Sequence, residues 1–343
     1  MSCAKIGPPM SERHRLSVAF LTRAGWAGAE RRFLAGDASD RSYDRLTGAG
    51  GAAVLMDAPP GKGDDPAVFL QVAAHLLGLG LSAPRCLAQD LEHGFLLLED
   101  FGDGSFARLV AEDPAREMPL YEAATDVLGL LQAGAPMASL PDLSAADWAE
   151  AACFALEWYR KAALGSVGDR AGFRAALEDV ISTHADGPRV MILRDYHAEN
   201  LMWLPERAGV ARVGVLDFQL AQMGQPGYDL VSLLQDARRE VSRETEAAMI
   251  RRFKDRTGAD ARFDAAYAVL GAQRALRILG IFTRLCLVAG KPGYLRLMPR
   301  VWGQLQRNLA HPANARLARL CEALLPEPTP EILSLIGDAC PCR

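Results

Sequence analysis

The stretch Leu193-Arg194-Asp195-Tyr196-His197-Ala198-Glu199-Asn200-Leu201 places an aspartate and an asparagine five residues apart. It starts at the end of a short apolar run, residues 190–193. A second run of the same kind, residues 213–216, leads directly into Asp217-Phe218-Gln219. Short apolar runs of this length predict buried strands. Both segments therefore predict a strand with an acidic residue at or just after its end.

Asp195, Asn200 and Asp217 suit the transfer of a phosphoryl group. That chemistry needs a carboxylate that orients the attacking hydroxyl and accepts its proton, and oxygen ligands that hold Mg²⁺ on nucleotide phosphates. Asp195 fits the first role, and Asn200 with Asp217 fits the second. Either aspartate alone is equally compatible with a structural role, as a turn cap or a strand end. The spacing of the three residues favours the catalytic interpretation.

The chain on either side of these segments predicts two parts of different structure. Strand-length runs separated by turns dominate the first hundred residues, which also contain one helical pattern; they lie at residues 31–35, 42–46, 52–56, 85–88 and 95–98, and the helix at 68–79. Helical spacing dominates afterwards, at residues 121–131, 145–164 and 173–184, and from 229 to about 308. We predict an α+β fold with a small antiparallel, β-rich lobe, residues 1–100, and a larger, mainly helical lobe, residues 101–343.

Composition excludes several classes of protein. The 343 residues include 38 Lys and Arg, 42 Asp and Glu and 50% apolar residues, which excludes a disordered chain, a collagen-like repeat and a coiled coil. No charge-free apolar run reaches about 18 residues, and the N-terminus lacks a secretory apolar core, so we expect no membrane span and no export. Seven scattered cysteines are typical of a reducing cytoplasm. The sequence does not indicate an oligomeric state.

The motifs resemble those of a known family. The pattern Arg-Asp-x-x-x-x-Asn, then Leu-Asp-Phe, then Gly227-Tyr228-Asp229-Leu230, resembles the aminoglycoside phosphotransferase and choline kinase group, which has a protein-kinase-like, two-lobed fold. The resemblance covers nearly the whole chain and implies ATP and Mg²⁺ as cofactors. It also implies that Asp195 is the catalytic base, that Asn200 and Asp217 are metal ligands, and that Asp229 is a buried aspartate bracing the catalytic segment.

The resemblance also indicates where the nucleotide binds. The turn Gly36-Asp37-Ala38-Ser39-Asp40-Arg41 stands where such folds place a loop over the phosphates, and its small residues allow backbone N–H groups to approach oxygens. Leu97-Leu98-Glu99-Asp100 would be the hinge whose backbone meets the adenine. An ordinary hairpin turn and a plain strand end are the alternatives. The residues expected to contact the nucleotide are Gly36, Ala38, Ser39, Arg41, Leu98 and Glu99.

Two expected residues of the protein-kinase pattern are missing. The place of the strand lysine reads Val54-Leu55-Met56-Asp57, and the helix that normally offers the partner glutamate carries Gln71. Arg41, Arg45 or Lys62 can supply the positive charge, and the sequence does not choose among them. The loss keeps open a nucleotide-binding pseudokinase, although the three residues of the phosphoryl-transfer pattern are all present.

A narrower resemblance concerns the acceptor. Four segments resemble the bacterial anomeric kinases of N-acetylmuramate and N-acetylglucosamine that act in cell-wall recycling; these segments span residues 34–43, 56–60, 97–102 and 273–282. This resemblance implies ATP-dependent phosphorylation of the anomeric hydroxyl of an amino sugar. An aminoglycoside or other hydroxyl-compound phosphotransferase is the enzyme alternative. We expect no nucleic-acid partner, because the net charge is -4 and no nucleic-acid motif is present.

Charge patterning bears on the same question. Residues 231–343 hold 18 basic and 11 acidic side chains, a net charge of +7, which disfavours a polycationic aminoglycoside or choline. Arg274, Arg277 and Arg284 fall on one helical face, and Arg274 or Arg277 would pair with the lactyl carboxylate of N-acetylmuramate. A solvated surface is the alternative. His197 and Glu199 are further candidates for contact with the acceptor, with a structural role equally open.

Overall fold

The computed structural model describes residues 12–36, 41–63, 65–138 and 140–341. The chain divides into two compact units. The N-terminal unit extends to Gly104 and also includes residues 214–219. The C-terminal unit comprises residues 105–213 and 220 to the end. The predicted boundary at residue 100 stays a prediction, and the return of residues 214–219 to the first unit is a feature that the sequence did not indicate.

The N-terminal unit is built on a five-stranded antiparallel sheet in the order β1-β2-β3-β5-β4. Its elements are α1 (Glu12–Arg23), β1 (Glu30–Gly36), β2 (Ser42–Gly48), β3 (Gly51–Asp57), α2 (Pro66–Gly78), β4 (Cys86–Asp90) and β5 (Phe95–Glu99). Strands β2 and β3 form a hairpin that ends in the pair Gly48 and Gly51. Gly51 has a φ of 100°, a conformation that glycine adopts at low cost.

Two helices cover this sheet with apolar residues. Helix α1 contributes Phe20 and Leu21 to a buried cluster with Leu46, Leu55 and Phe95, and the rings of Phe20 and Phe95 stack with centroids 5.7 Å apart. Helix α2 begins with an Asp65 cap and a proline, which together satisfy the orphan N–H groups of its first turn. Its residue Phe69 stacks on Phe218 with ring centroids 4.8 Å apart. This contact packs the Asp-Phe-Gln segment against α2 within the N-terminal unit.

The C-terminal unit is mainly helical. Its helices are α3 (Phe106–Glu112), α4 (Glu117–Ala133), α5 (Ala145–Ala152), α6 (Lys161–Leu164), α7 (Arg170–His184), α8 (Tyr228–Leu234), α9 (Arg243–Thr257), α10 (Phe263–Leu287), α11 (Met298–Leu309), α12 (Ala315–Leu324) and α13 (Pro330–Asp338). Its short strands include β6 (Val190–Ile192), β7 (Leu201–Trp203) and β9 (Gln222–Gly224), whereas β8 (Val213–Val215) begins in this unit and has its last two residues in the N-terminal unit. Strands β6 and β9 pair antiparallel.

Helix α10 is the centre of the C-terminal unit. It is long and apolar enough to cross a membrane, but most of its residues are buried against other helices. Gly280 lets the backbone of Phe154 approach, since a Cβ there would lie 2.3 Å from the Phe154 carbonyl carbon. Gly271 makes room for the Asn308 side chain in the same way. The apolar surface of α10 is therefore used in packing inside this unit.

The α+β fold with a small antiparallel sheet and a mainly helical remainder is confirmed. One predicted helix, residues 145–164, is interrupted, because the chain forms a π-helical turn at Ala155–Arg160 between α5 and α6. Helical structure also continues beyond residue 308, in α12 and α13. A period of 3.6 residues does not reveal the extra residue that a π turn accommodates.

Candidate active site

The catalytic segment is fixed by a buried carboxylate. Asp229, in the first turn of α8, is completely buried and accepts hydrogen bonds from the backbone N–H groups of Leu193 at 2.6 Å and Arg194 at 2.9 Å. Burial raises the pKa of Asp229 to about 7, while the two hydrogen bonds and the Arg274 guanidinium oppose that rise. These bonds hold the backbone that leads into Asp195.

Arg194 adopts an unusual backbone conformation. Its φ is 72°, and Asp217 at 55° is the only other non-glycine residue with a positive φ within the described ranges. An arginine in this region costs about 1–3 kcal/mol, whereas aspartate tolerates it more readily. Both residues belong to the two segments that the sequence singled out. The hydrogen bonds that Leu193 and Arg194 donate to Asp229 offset the cost at Arg194.

Asp195 follows directly and is half-buried. Among the described residues its carboxylate makes no hydrogen bond and no ion pair, so the oxygens are available to a ligand. Its backbone carbonyl accepts a 2.9 Å hydrogen bond from Nδ2 of Asn200. The structure therefore ties Asp195 and Asn200 together in one turn, as their spacing requires.

His197 holds the other amide hydrogen of Asn200. Its Nε2 lies 3.4 Å from Asn200 Nδ2 and 3.2 Å from Arg238 Nη1. Both neighbours can only donate, so Nε2 accepts and the proton resides on Nδ1. Burial, with the guanidinium groups of Arg238 and Arg274, lowers the pKa of His197 to about 3. The ring is therefore neutral near pH 7, and it fixes which end of the Asn200 amide carries oxygen.

Arg238 is a residue that sequence reasoning missed. It contacts His197 and also forms an ion pair with Glu199, with Nε 2.8 Å from Oε2. Glu199 is exposed, and His197 is buried. The structure thus places both predicted acceptor contacts in one ion-paired cluster beside Asn200. Whether either touches the acceptor stays a prediction.

Asp217 lies in the N-terminal unit, where the polar neighbours of its carboxylate include Gln219 and Arg41. Nε2 of Gln219 donates to its Oδ1 at 2.7 Å, and Nη2 of Arg41 lies 3.9 Å from the same oxygen. Arg41 is buried, with 4% of its surface exposed. A buried guanidinium beside a carboxylate suits a site that handles phosphate and a divalent cation.

The other two candidates for the missing lysine are placed differently. Arg45 is held by Asp100, with Nε 2.6 Å from Oδ2, and by Asp103, with Nη1 2.6 Å from Oδ1. Lys62 is exposed in the loop after β3. The strand segment expected to carry the lysine, Val54-Leu55-Met56-Asp57, ends in a carboxylate that forms an ion pair with Arg13. Arg41 is thus the cation of the three that approaches the Asp-Phe-Gln segment.

The predicted nucleotide contacts are described in part. Gly36 ends β1 and pairs with Ser42 of β2. Ala38 and Ser39 lie outside the described residues. Leu98 is buried in β5, and the N–H of Glu99 donates to the Arg85 carbonyl at 2.9 Å. The contact of these residues with a nucleotide stays a prediction.

The three arginines of α10 have separate environments. Arg274 is buried and donates to the Gln235 carbonyl at 3.2 Å and to Ser232 Oγ at 3.0 Å. Arg277 donates to the hydroxyl of Tyr228 at 3.3 Å. Arg284 lies over the ring of Trp158, 5.8 Å from its centroid. The Arg274 guanidinium is therefore hydrogen-bonded within the protein, whereas the Tyr228 hydroxyl is the only polar partner of Arg277 among the described residues.

The oxygen donors present are compatible with Mg²⁺. No group of three or more His, Cys, Asp or Glu side chains suited to a metal occurs within the residues that the structure describes. Mg²⁺ does not require such a group, because it keeps several waters and takes one or two protein oxygens together with substrate phosphates. The Asp217 carboxylate and the Asn200 amide are donors of that kind.

Comparison with known proteins identifies the family. The model of the phosphotransferase enzyme family matches residues 30–269. The chain belongs to this family. It is 36% identical to the N-acetylmuramate/N-acetylglucosamine kinase of Caulobacter vibrioides, over 93% of this chain and 98% of that protein. It is 35% identical to the kinase of the same name from Pseudomonas aeruginosa, over 84% of this chain and 86% of that protein.

A solved structure supports the fold of this phosphotransferase. The choline kinase LicA of Streptococcus pneumoniae superposes with a TM-score of 0.55 at 10% identity, covering 95% of this chain and 99% of that one. The prediction of a kinase of the aminoglycoside phosphotransferase type is confirmed, and ATP use follows from the kinase family. The phosphotransferase acts on a small-molecule acceptor.

Proposed function

We propose that this phosphotransferase transfers the γ-phosphoryl group of ATP to the anomeric hydroxyl of N-acetylmuramate and N-acetylglucosamine. The observation that carries the proposal is the Asp195 carboxylate, which has no partner among the described residues and follows a backbone fixed by Asp229. The substrate class is supported by the names of relatives that are 36% and 35% identical over most of their length. Because ATP is the donor, the proposal places the enzyme in the cytoplasm.

In the proposed reaction Asp195 orients the acceptor hydroxyl and takes its proton. The acceptor oxygen bonds to the γ-phosphorus as the bond from that phosphorus to the β–γ bridging oxygen breaks, and ADP leaves. Bound Mg²⁺ would neutralise charge on the phosphates, and Asn200 with Asp217 would hold it. Arg41 supplies positive charge near Asp217, and Asp229 keeps the catalytic backbone in place.

The proposal is tested by ADP release with Mg-ATP against N-acetylmuramate, N-acetylglucosamine, galactosamine, kanamycin, choline and homoserine, with phosphorus NMR to locate the new phosphate. We expect a sugar 1-phosphate from the two N-acetyl sugars. Asp195→Asn should lower kcat roughly 10²–10⁴-fold, the usual contribution of a general base. Asp179→Asn, a change on the exposed face of α7, is the matched control and should leave kcat unchanged.

Each other outcome has a definite meaning. Turnover of kanamycin or choline alone would assign a different acceptor. Full activity of Asp195→Asn would remove Asp195 from the base role. ATP binding without turnover of any acceptor would favour the pseudokinase interpretation.

A further inference from the structure

Arg194, which directly precedes Asp195, and Arg277 of α10 form no ion pair with an acidic side chain within the described residues. The Nε atom of Arg194 is buried and has no hydrogen-bond partner in the described part of the chain. Arg277 makes a single polar contact there, with the hydroxyl of Tyr228. Buried guanidinium groups normally pair with carboxylates, because an unpaired charge away from water is costly. Their unused donors point to an anionic ligand.

Both arginines form hydrogen bonds with side chains on the same face of α8, Arg277 through its guanidinium and Arg194 through its backbone carbonyl. Arg277 contacts Tyr228, and the Arg194 carbonyl accepts a 3.2 Å hydrogen bond from Oγ of Ser232, one helical turn later. The Tyr228 ring is itself held by Trp148, with centroids 4.6 Å apart. The guanidinium groups of Arg194 and Arg277 repel each other electrostatically. Burial, and next the positive charge of Arg277, lower the pKa of Arg194. Two neighbouring cations on a rigid support form a site for one anion.

The backbone of Arg194 adds an independent argument. With a φ of 72°, this position would be less strained as glycine. The left-handed conformation costs free energy at an arginine, and the buried Nε atom of its side chain gains no hydrogen bond in the described part of the chain in exchange. A use for the guanidinium outside the folded chain accounts for its presence next to Asp195.

The remaining arginines of α10 do not share these properties. Arg274 donates to Ser232 and to the Gln235 carbonyl, so it braces α8. Arg284 lies over Trp158. The candidate acceptor contact Arg274 is therefore a structural residue in this arrangement, and Arg194 takes its place.

We propose that Arg194 and Arg277 bind a carboxylate of the acceptor, the lactyl carboxylate of N-acetylmuramate, and thereby set the preference for the acidic sugar over N-acetylglucosamine. This inference rests on the proposed function. A guanidinium pair offers parallel N–H donors that match the two oxygens of a carboxylate. N-acetylglucosamine lacks that group and would bind through the rest of the site.

The first test measures kcat/KM for both sugars in Arg194→Asn, Arg277→Met and the control Arg284→Met. Asparagine tolerates a positive φ, and methionine is a good helix former, so both variants respect the local backbone. For each of the first two, kcat/KM for N-acetylmuramate should fall roughly 10–100-fold, the usual range for a charge-assisted hydrogen bond, while kcat/KM for N-acetylglucosamine changes by less than about threefold. Arg284→Met should leave both values unchanged.

The second test changes the substrate and needs no variant. The methyl ester of N-acetylmuramate, which is neutral, should be a poorer substrate than the acid for the wild-type enzyme and an equal one for Arg277→Met. Equal losses for both sugars, with a raised KM for ATP, would assign the arginines to nucleotide phosphate and overturn the proposal. Unchanged kcat/KM for N-acetylmuramate in both variants would also overturn it. If the wild-type enzyme phosphorylates neither N-acetylmuramate nor N-acetylglucosamine, the result overturns the proposed function instead.

Discussion

Nη2 of Arg41 lies 3.9 Å from Oδ1 of Asp217, within the N-terminal unit. The guanidinium is buried, and the Asp217 side chain is 40% exposed. The carboxylate is therefore open to solvent, and the buried guanidinium lies beside it. This arrangement provides a positive charge near the proposed metal ligand even though the strand segment expected to carry the kinase lysine, residues 54–57, contains no lysine.

Arg41→Ala is expected to raise KM for ATP roughly 10–100-fold, because one charge-assisted contact to phosphate is lost. Arg41→Lys should recover part of the loss, since lysine keeps the charge without the planar fork. The measurement is steady-state kinetics at varied Mg-ATP. Lys62→Ala, a change in an exposed loop, is the control. If Lys62→Ala raises KM for ATP and Arg41→Ala does not, Lys62 and not Arg41 supplies the positive charge.

Local sequence patterns predicted much of the fold and part of the candidate active site. The strands and helices with clear periodicity lie close to their predicted places, and the Asp195 to Asn200 spacing produces a turn closed by a hydrogen bond. Helix α1 gave little signal, because only Ser17, Phe20 and Leu21 of its twelve residues are buried. An amphipathic pattern needs a wider apolar stripe to be recognised.

Other features depend on tertiary context that no pattern encodes. Arg274 and Arg277 are three residues apart on one helical face, yet the first is hydrogen-bonded to Ser232 and the second reaches Tyr228. The positive φ of Arg194 occurs where the backbone is hydrogen-bonded to Asp229, which lies 35 and 36 positions further along the chain from Arg194 and Leu193. The resemblance to a family implied that brace, and periodicity did not.

Asp229 should give the folded protein a distinctive pH dependence. Its pKa in the folded protein is about 7, above the ordinary value of 3.8. The folded state therefore binds more protons between those two values, so the stability due to this group is greatest below about pH 4 and is lost as the pH rises through 7. Urea unfolding should show that the wild type loses ~2–4 kcal/mol more than Asp229→Asn between pH 4 and 8.

Asp126 provides the contrast for that measurement. Burial acts to raise its pKa, but ion pairs with Arg252 and Arg256 lower the pKa overall. Its contribution to stability is present above the ordinary value and is lost as the pH falls through the lowered one. Asp126→Asn should therefore differ from the wild type mainly at neutral pH. Parallel pH profiles for Asp229→Asn and the wild type would contradict the raised pKa.

His197 is expected to affect the affinity for Mg²⁺ through its contact with Asn200. His197→Leu removes the acceptor at Nε2, so the Asn200 amide and Arg238 lose a shared partner. Removing such an outer contact typically costs 10–100-fold in metal affinity, and we expect about that increase in the Mg²⁺ concentration for half-maximal rate. His197→Gln keeps an acceptor oxygen and should restore most of the affinity. A fall in kcat at saturating Mg²⁺, equal in both variants, would assign His197 to the acceptor instead.

Of the two glycines in α10, Gly280 should tolerate substitution less well than Gly271. A Cβ at this position would lie 2.3 Å from both the carbonyl carbon and the oxygen of Phe154, and backbone atoms cannot move aside as a flexible side chain can. Gly280→Ala should therefore lower the free energy of unfolding by roughly 1–3 kcal/mol, the usual cost of overpacking, despite alanine's better helix propensity.

Gly303 in α11 is the matched control, because it is exposed and a Cβ there would meet no atom within 4 Å. Gly303→Ala should raise stability by about 0.5–1 kcal/mol, the ordinary gain of replacing a helical glycine. Both values come from urea unfolding followed by circular dichroism. Opposite signs for the two substitutions would show that close approach, and not helix propensity, sets the requirement at Gly280. A stabilised Gly280→Ala would mean that α10 moves easily away from Phe154, the residue before the π-helical turn at Ala155–Arg160. That result would contradict the requirement for close approach at Gly280.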